Sequence, residues 1–167
     1  MFRSLVLVRH AKSSWEGSNL LDFDRPLNKR GFENAPMMGQ RLASNKYSAD
    51  SIISSPAVRA ITTAEMIASE IGFDKNHIRQ EPAIYEAGIS ALLYVIANID
   101  ENDQYVMLVG HNPGITYLCN YICDFKLENM PTCSVVQIKF SIRSWRDISK
   151  HSGELIDFDY PKKKYQN

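Results

Sequence analysis

The chain has 167 residues, of which 44% are hydrophobic and 23% are charged, as in an ordinary globular domain. Its 19 basic and 19 acidic residues balance to a net charge of zero, which argues against nucleic-acid binding or an anionic membrane as partner. No apolar run approaches the roughly 20 residues that a membrane span needs, and no signal peptide is evident. We therefore expect one cytoplasmic domain over residues 1–160, followed by a solvated basic tail over 161–167.

Apolar runs and helical periodicity alternate along the chain. In chain order, the predicted strands are 4–8, 50–54, 78–80, 104–110, 134–140 and 154–158. The predicted helices are 28–44, 57–71, 89–99 and 115–123. Asn28 is predicted to cap the first helix, Pro36 to kink or interrupt it, and Gly72 to end the second. The alternation predicts βαβ units and a mostly parallel sheet covered by helices on both faces, with 143–152 as a surface loop.

The three cysteines are predicted to be reduced and buried. Cys119 and Cys123 lie four residues apart in a helical pattern, which is not the C-x-x-C spacing of a redox or zinc pair. Cys133 is predicted to lie in a strand. An odd number of cysteines without a disulfide framework favours a reducing compartment.

Polar residues with catalytic potential follow three of the predicted strands. V-R-H-A-K-S-S-W places Arg9 and His10 at the end of the first strand. S-S-P-A-V-R-A places Arg59 in the first turn of a helix that Ser55 is predicted to cap, and V-G-H-N-P-G places His111 after the fourth strand. Because carboxyl ends of parallel strands meet at one edge, these residues are expected to converge in one crevice.

Such a crevice suits a phosphate group. Arginine forks match phosphate oxygens, and helix N-termini present free N–H groups to anions. A metal site is the rival interpretation, because histidine is a common ligand. Neighbouring guanidinium groups would repel a divalent cation, however, and these segments lack the usual carboxylate or thiolate ligands. The sequence therefore predicts an anion site without a metal.

The same motifs resemble those of the histidine phosphatase superfamily, which has the phosphoglycerate-mutase-like fold. The resemblance rests on L-V-R-H-A, on S-S-P-A-V-R-A with a following T-A, and on V-G-H-N-P. R-P-L-N-K-R-G (25–31) and I-Y-E-A (84–87) are similar to its SixA-type phosphohistidine phosphatase branch. The resemblance covers roughly residues 5–140 and implies an α/β fold, a three-layer α/β/α sandwich with its site at the carboxyl edge of the sheet.

The resemblance also implies catalytic roles. His10 matches the nucleophile that becomes transiently phosphorylated. Arg9, Arg59 and His111 match the groups that bind the phosphoryl oxygens, with His111 expected to be cationic. Glu86 lies broadly where many relatives place a catalytic acid. The alternative interpretation is a loop glutamate that faces solvent. No cofactor is implied.

Three further residues are weaker candidates for substrate contacts. Ser13 lies where relatives often carry a small hydroxyl residue, and it reads equally well as a loop cap. Arg25 and Asn112 are candidates for the rim of the site. Lys12 and Glu16 depart from the residues common in the mutase branch, which argues against a sugar-phosphate mutase.

The leading functional hypothesis is a phosphatase that removes phosphate from a phosphorylated protein partner, with phosphohistidine as the group attacked. The first alternative is a phosphatase for small phosphate esters. The second is a phosphate- or phosphopeptide-binding module without turnover. Release of phosphate from an aryl phosphate separates an enzyme from such a module.

Overall fold

The computed structural model describes residues 1–17 and 19–165 and is organised around one six-stranded sheet. In chain order the strands are β1 (Arg3–Arg9), β2 (Ser51–Ser54), β3 (Arg79–Gln80), β4 (Tyr105–Gly110), β5 (Val135–Phe140) and β6 (Gly153–Asp159). They lie side by side in the order β3-β2-β4-β1-β5-β6. The first four of that order run parallel, whereas β5 runs antiparallel to both β1 and β6. The prediction of a mostly parallel central sheet is confirmed.

Four α-helices connect the strands. They are α1 (Lys29–Ser44), α2 (Val58–Ile71), α3 (Ile89–Ala97) and α4 (Gly114–Ile122). Asn28 caps α1 as predicted, and Gly72 ends α2 in the left-handed conformation at φ +74°. Pro36 lies inside α1 without interrupting it, because one missing hydrogen bond is outweighed by the packing of the buried face of the helix. No helix among residues 1–17 and 19–165 is long and apolar enough to cross a membrane.

The central strand β1 separates two hydrophobic cores. Leu5 and Leu7 pack with buried residues of α3 and α4, whereas Val6 and Val8 pack with those of α1 and α2. All four side chains are fully buried. Burial on both faces explains why this strand has a continuous apolar sequence rather than an alternating one. The two helical layers and the sheet between them form the predicted three-layer α/β/α sandwich.

The three cysteines are free and buried, as predicted, but Cys133 does not lie in a strand. It occupies a turn before β5 with φ +61°. Its N–H donates to the carbonyls of Arg9 and His10, at 3.1 and 3.0 Å. The turn therefore supports the end of β1 instead of extending β5.

The structure differs from one other local expectation and adds a contact to a second. α2 begins at Val58 with Ala57 as its N-cap residue, so Ser55 does not cap the helix. Residues 143–152 form a surface loop as predicted, but Trp145 anchors it, because this side chain is buried and its indole N–H donates to the carbonyl of Asp103 at 2.9 Å. Both features arise from tertiary contacts that the local pattern does not contain.

The basic tail folds back on the domain over residues 161–165. Lys163 donates a hydrogen bond to a carbonyl of β6 at 2.6 Å, and the Arg41 guanidinium lies 5.2 Å from the ring centroid of Tyr165. These contacts differ from the solvated tail predicted from the sequence. Residues 166 and 167 lie outside the described part of the chain.

Candidate active site

The ends of β1, β4 and β2, which are neighbours in the sheet, bring the three sequence motifs together. The N–H of His10 donates to the carbonyl of Gly110 at 3.1 Å, and the N–H of Ser55 donates to that of Val109 at 3.0 Å. The imidazole rings of His10 and His111 have centroids 5.1 Å apart. The predicted crevice is therefore present at the carboxyl edge of the sheet.

His10 is held in one orientation at the centre of this crevice. Its Nδ1 lies 2.8 Å from the carbonyl oxygen of Ala11. A carbonyl only accepts hydrogen bonds, so Nδ1 carries the proton and Nε2 keeps its lone pair. Burial, with smaller contributions from nearby charges that include His111 and Arg59, lowers the pKa of His10 to about 3. The side chain is therefore a neutral imidazole at neutral pH with Nε2 available for attack.

Helix α2 fixes the loop that carries this histidine. The N–H of Ala11 donates to Oγ1 of Thr63 at 3.0 Å, and that hydroxyl donates to the carbonyl of Arg59 at 2.7 Å. Both Ala11 and Thr63 are buried. Thr63 thus couples the position of the His10 loop to that of Arg59, a link that motif reading does not identify.

Both arginines are anchored yet keep free donors. Arg9 Nη1 donates to the carbonyl of Met130 at 2.8 Å. Arg59 Nη1 and Nη2 donate to the carbonyl and to Oδ2 of Asp22, at 2.6 and 3.0 Å. The Nε atoms of both side chains are buried without a hydrogen-bond partner among the described residues. A guanidinium has five N–H groups, so each side chain retains donors for a tetrahedral anion.

Asp22 is an important residue that motif reading missed. Its carboxylate accepts hydrogen bonds from Tyr85 Oη at 2.6 Å, from Arg59 at 3.0 Å and from Arg25 Nε at 3.1 Å. The hydrogen bond from Tyr85, followed by those from the two arginines, lowers the pKa of Asp22 to about 2. Asp22 is therefore ionised at neutral pH and orients Arg59. The available signal was the spacing of Asp22 and Arg25, a favourable i,i+3 ion pair in a short 3₁₀ turn.

Arg25 lies behind Asp22. Besides its bond to Asp22, it donates through Nη1 to the carbonyl of Ser14 at 3.2 Å. Its guanidinium stacks at 3.6 Å from the ring centroid of Trp15, a largely exposed residue. The side chain of Arg25 therefore binds Asp22. The sequence predicts a different role, a residue at the rim of the site that contacts the substrate.

His111 is neutral at neutral pH, which differs from the cationic side chain expected. Burial and then the charge of Arg59 lower its pKa to about 4. Its Nε2 lies 2.7 Å from Oγ of Ser55, so Ser55 orients the ring instead of capping α2. A bound phosphoryl dianion favours the protonated form of a nearby imidazole, so ligand binding raises this pKa.

Asn112 and Ser13 belong to loops around the site. Asn112 Nδ2 donates to the carbonyl of Met130 at 3.0 Å, and its Oδ1 accepts from Thr116 at 2.7 Å. Because the same carbonyl accepts from Arg9, Asn112 supports the loop that anchors Arg9. Ser13 is buried, and its main chain forms an isolated bridge to the segment before α1.

Glu86 lies at the edge of the site. It is exposed, has φ +57°, and lines a cavity of about 340 Å³ together with His111 and Tyr117. Its carboxylate accepts no hydrogen bond from residues 1–17 or 19–165. The structure therefore places Glu86 in an open environment on a cavity that it shares with His111.

In the part of the chain that the structure describes, the side chains of the same region do not form a metal site. Within the described ranges, no group of three or more histidine, cysteine, aspartate or glutamate side chains is arranged to hold a metal ion. His10 and His111 share the site with the guanidinium groups of Arg9 and Arg59, and the Asp22 carboxylate beside them is paired with Arg59. This arrangement favours an anionic ligand.

Comparison with known proteins agrees with this geometry. Residues 5–93, more than half of the chain, match the family model described as histidine phosphatase superfamily (branch 1). The chain belongs to this superfamily. A crystal structure of a candidate phosphohistidine phosphatase SixA from Agrobacterium tumefaciens superposes with a TM-score of 0.81 at 30% identity, covering 95% of this chain and 98% of that one.

Two curated relatives extend this comparison. An uncharacterised chloroplastic protein of Arabidopsis thaliana is 30% identical over 90% of this chain and 72% of its own length. The mitochondrial serine/threonine-protein phosphatase PGAM5 of Xenopus laevis is 29% identical over 92% of this chain and 58% of its own length. This histidine phosphatase is thus of the SixA type in fold and family, with relatives that differ in the substrates their names give.

Replacing Arg59 by lysine is expected to lower kcat/KM of this histidine phosphatase about 10²-fold, comparable to removing one preorganised donor from an active site. Lysine keeps the charge but loses both the fork that holds Asp22 and the free Nε. Steady-state hydrolysis of an aryl phosphate measures the effect. Arg79→Lys, at an exposed arginine, is the control and should behave as wild type. Wild-type kinetics for Arg59→Lys would place this residue outside the site.

The lowered histidine pKa values predict a loss of stability in acid. The unfolded chain takes up protons as the pH falls below about 6.5, whereas folded His10 and His111 stay neutral to about pH 3 and 4. The free energy of unfolding should therefore fall between pH 7.5 and 5, by roughly 2 kcal/mol for each histidine. In His10→Gln, the free energy of unfolding should fall less between pH 7.5 and 5 than in the wild type, because the contribution of His10 to that fall is missing. Urea unfolding at the two pH values measures the difference. The exposed His77→Gln serves as control, and an equal effect of both variants would contradict the assignment to burial.

Proposed function

We propose that this protein is a phosphatase that removes phosphate from phosphohistidine on a partner protein through a phosphorylated His10. The observation that carries the proposal is the fixed tautomer of His10, whose neutral Nε2 lies among phosphate-binding groups. Similarity to the SixA structure from Agrobacterium tumefaciens supports the substrate class.

The reaction has two steps. His10 Nε2 attacks phosphorus and forms a new P–N bond, while the P–N bond of the substrate breaks and its imidazole leaves with a proton from solvent. Water then attacks phosphorus, the P–N bond to His10 breaks, and inorganic phosphate is released. Arg9 and Arg59 stabilise the equatorial oxygens in both steps, because phosphoryl transfer depends chiefly on positioning and charge stabilisation.

The exposure of Glu86 favours phosphohistidine over an alkyl ester as the substrate. An alkoxide leaving group needs a proton, and a carboxyl group that donates one at neutral pH is normally desolvated. Glu86 is exposed and makes no hydrogen bond within the described ranges. An imidazole leaving group, with a conjugate-acid pKa of roughly 6.5, needs little such help.

The second candidate is a phosphatase for phosphate esters, either small molecules or phosphoserine proteins. The position of Glu86 in a cavity with His111 favours it, as does the similarity to a serine/threonine-protein phosphatase. The three reduced cysteines support a cytoplasmic location for either activity.

A substrate panel tests the proposal. Phosphohistidine peptides, phosphoserine peptides and sugar phosphates are compared by kcat/KM, with an aryl phosphate as reference for an intact site. We expect the phosphohistidine peptides to be the best of the three classes. A higher kcat/KM for sugar phosphates or phosphoserine peptides would replace the proposal with the ester phosphatase, and no aryl phosphate turnover would indicate a binding module.

We further propose that the reaction needs no metal ion. Two guanidinium groups already neutralise the phosphoryl charge, and they repel a dication. Activity on an aryl phosphate should therefore be unchanged after incubation with EDTA and gel filtration. A rate that collapses on chelation and returns with added zinc or magnesium would contradict this reading.

A further inference from the structure

A second cavity lies beside the candidate active site and has a basic lining. It has a volume of about 300 Å³. We call this cavity the basic groove. Its cations are Lys12, Arg30 and Lys162, and its apolar floor consists of Pro131, Tyr160 and Pro161. None of these residues belongs to the catalytic constellation described above.

The basic groove opens at the same edge of the sheet as His10. Lys12 follows His10 by two residues, so their Cα atoms are at most about 7.6 Å apart. Lys162 follows the end of β6, which runs parallel to β1, and therefore also lies at the carboxyl edge. A substrate held at His10 can thus reach the groove with a few residues of extended chain.

The three cations of the groove form no direct ion pair among the described residues, although Arg30 also lines a neighbouring cavity with Glu16 and Glu33. Lys12, Arg30 and Lys162 are exposed and take part in no ion pair or side-chain hydrogen bond within residues 1–17 and 19–165. The residues that line the cavity include no aspartate or glutamate. Since the whole chain has a net charge of zero, this cluster is a local excess rather than part of a generally basic surface.

We propose that the basic groove binds an acidic segment of the substrate protein, close in sequence to its phosphorylated residue. The proposal rests on the proposed function and specifies its partner. Carboxylates complement the three cations, while the two prolines and Tyr160 offer an apolar surface for an extended backbone. Charge complementarity of this kind acts on substrate association and so on KM, because none of these cations is among the candidate phosphate-binding groups Arg9, Arg59 and His111.

The test compares two phosphohistidine peptides that differ only in having glutamate or glutamine around the phosphorylated residue. We expect the glutamate peptide to have a kcat/KM about 10-fold higher, through KM, since three surface ion pairs each contribute a small factor. The triple variant Lys12→Gln, Arg30→Gln and Lys162→Gln should abolish this preference. The preference should also weaken between about 0.05 M and about 0.5 M salt.

A charge-matched triple variant provides the control. Lys46→Gln, Lys75→Gln and Lys150→Gln remove the same charge from exposed lysines. These lysines follow α1, follow α2 and precede β6, which places them towards the opposite edge of the sheet. This variant should keep the preference for the glutamate peptide. Its loss in both variants would show a general charge effect and overturn the groove.

A binding measurement separates this inference from the proposed function. Fluorescence anisotropy of a labelled, unphosphorylated glutamate peptide should give binding to the wild type about 10-fold tighter than to the groove variant. Selective binding without phosphohistidine turnover would reject the proposed function and keep the groove. Equal binding to both proteins would overturn the groove whatever the substrate. The groove variant could instead be impaired only on a small aryl phosphate that carries a second anionic group. That result would assign the cavity to small substrates and would contradict the proposal of an acidic protein segment.

Discussion

Replacing His10 by alanine should abolish turnover, with a loss of roughly 10⁴-fold or more in kcat. In the proposed mechanism, His10 supplies the lone pair that attacks phosphorus, and the carbonyl of Ala11 fixes its tautomer. His111, the other histidine of the site, has its Nε2 engaged by Ser55 and does not substitute for it. The rate is measured with an aryl phosphate, which needs no acid assistance.

The covalent route has its own signature. Phosphate trapped on the wild-type protein during turnover should be labile in acid and stable in base, and it should be missing from His10→Ala. The variant should fold, because His10 lies beyond the end of β1 and its removal leaves the two cores intact. His77→Ala, at an exposed histidine, is the control. A His10→Ala protein that keeps more than a few per cent of activity would disprove the nucleophile assignment.

The position of the candidate site could be predicted from local sequence patterns. The apolar runs that end at Arg9, Ser54 and Gly110 identify three strands and the residues that follow them. A parallel sheet puts those residues on one edge whatever the strand order. Only the structure, however, shows that β2, β4 and β1 are neighbours, which is what brings the His10 and His111 rings to 5.1 Å.

The residues that orient the catalytic groups could not be predicted in this way. Asp22 precedes Arg59 by 37 residues and Tyr85 by 63, so no periodicity links them. The lowered pKa of His111 depends on burial in the folded chain. The motif alone predicts a cationic phosphate ligand, because it contains no information about burial. Ser55 has the spacing of a helix cap, but its hydroxyl lies against the His111 ring. Each of these features depends on long-range packing.

The two substrate classes differ in whether the leaving group must be protonated by the protein. Asp22 does not supply it, because its pKa of about 2 leaves it ionised. The Tyr85 hydroxyl donates a hydrogen bond to Asp22, and that hydrogen bond raises the pKa of Tyr85. Among the described residues, Glu86 is the carboxyl group that lines a cavity together with His111. It is therefore the residue to test as general acid.

Glu86→Gln is expected to lower kcat for an alkyl phosphate about 10³-fold, within the range of general acid catalysis, because glutamine cannot protonate an alkoxide. The same substitution should leave a phosphohistidine peptide and an aryl phosphate within about two-fold of wild type, since their leaving groups are weak bases. Kinetics on all three substrates, with Glu154→Gln as an exposed control, measure the difference. Equal losses on the three would mean that Glu86 positions the phosphoryl group. Unchanged hydrolysis of all three would leave Glu86 a surface residue and would remove the structural support for the ester phosphatase.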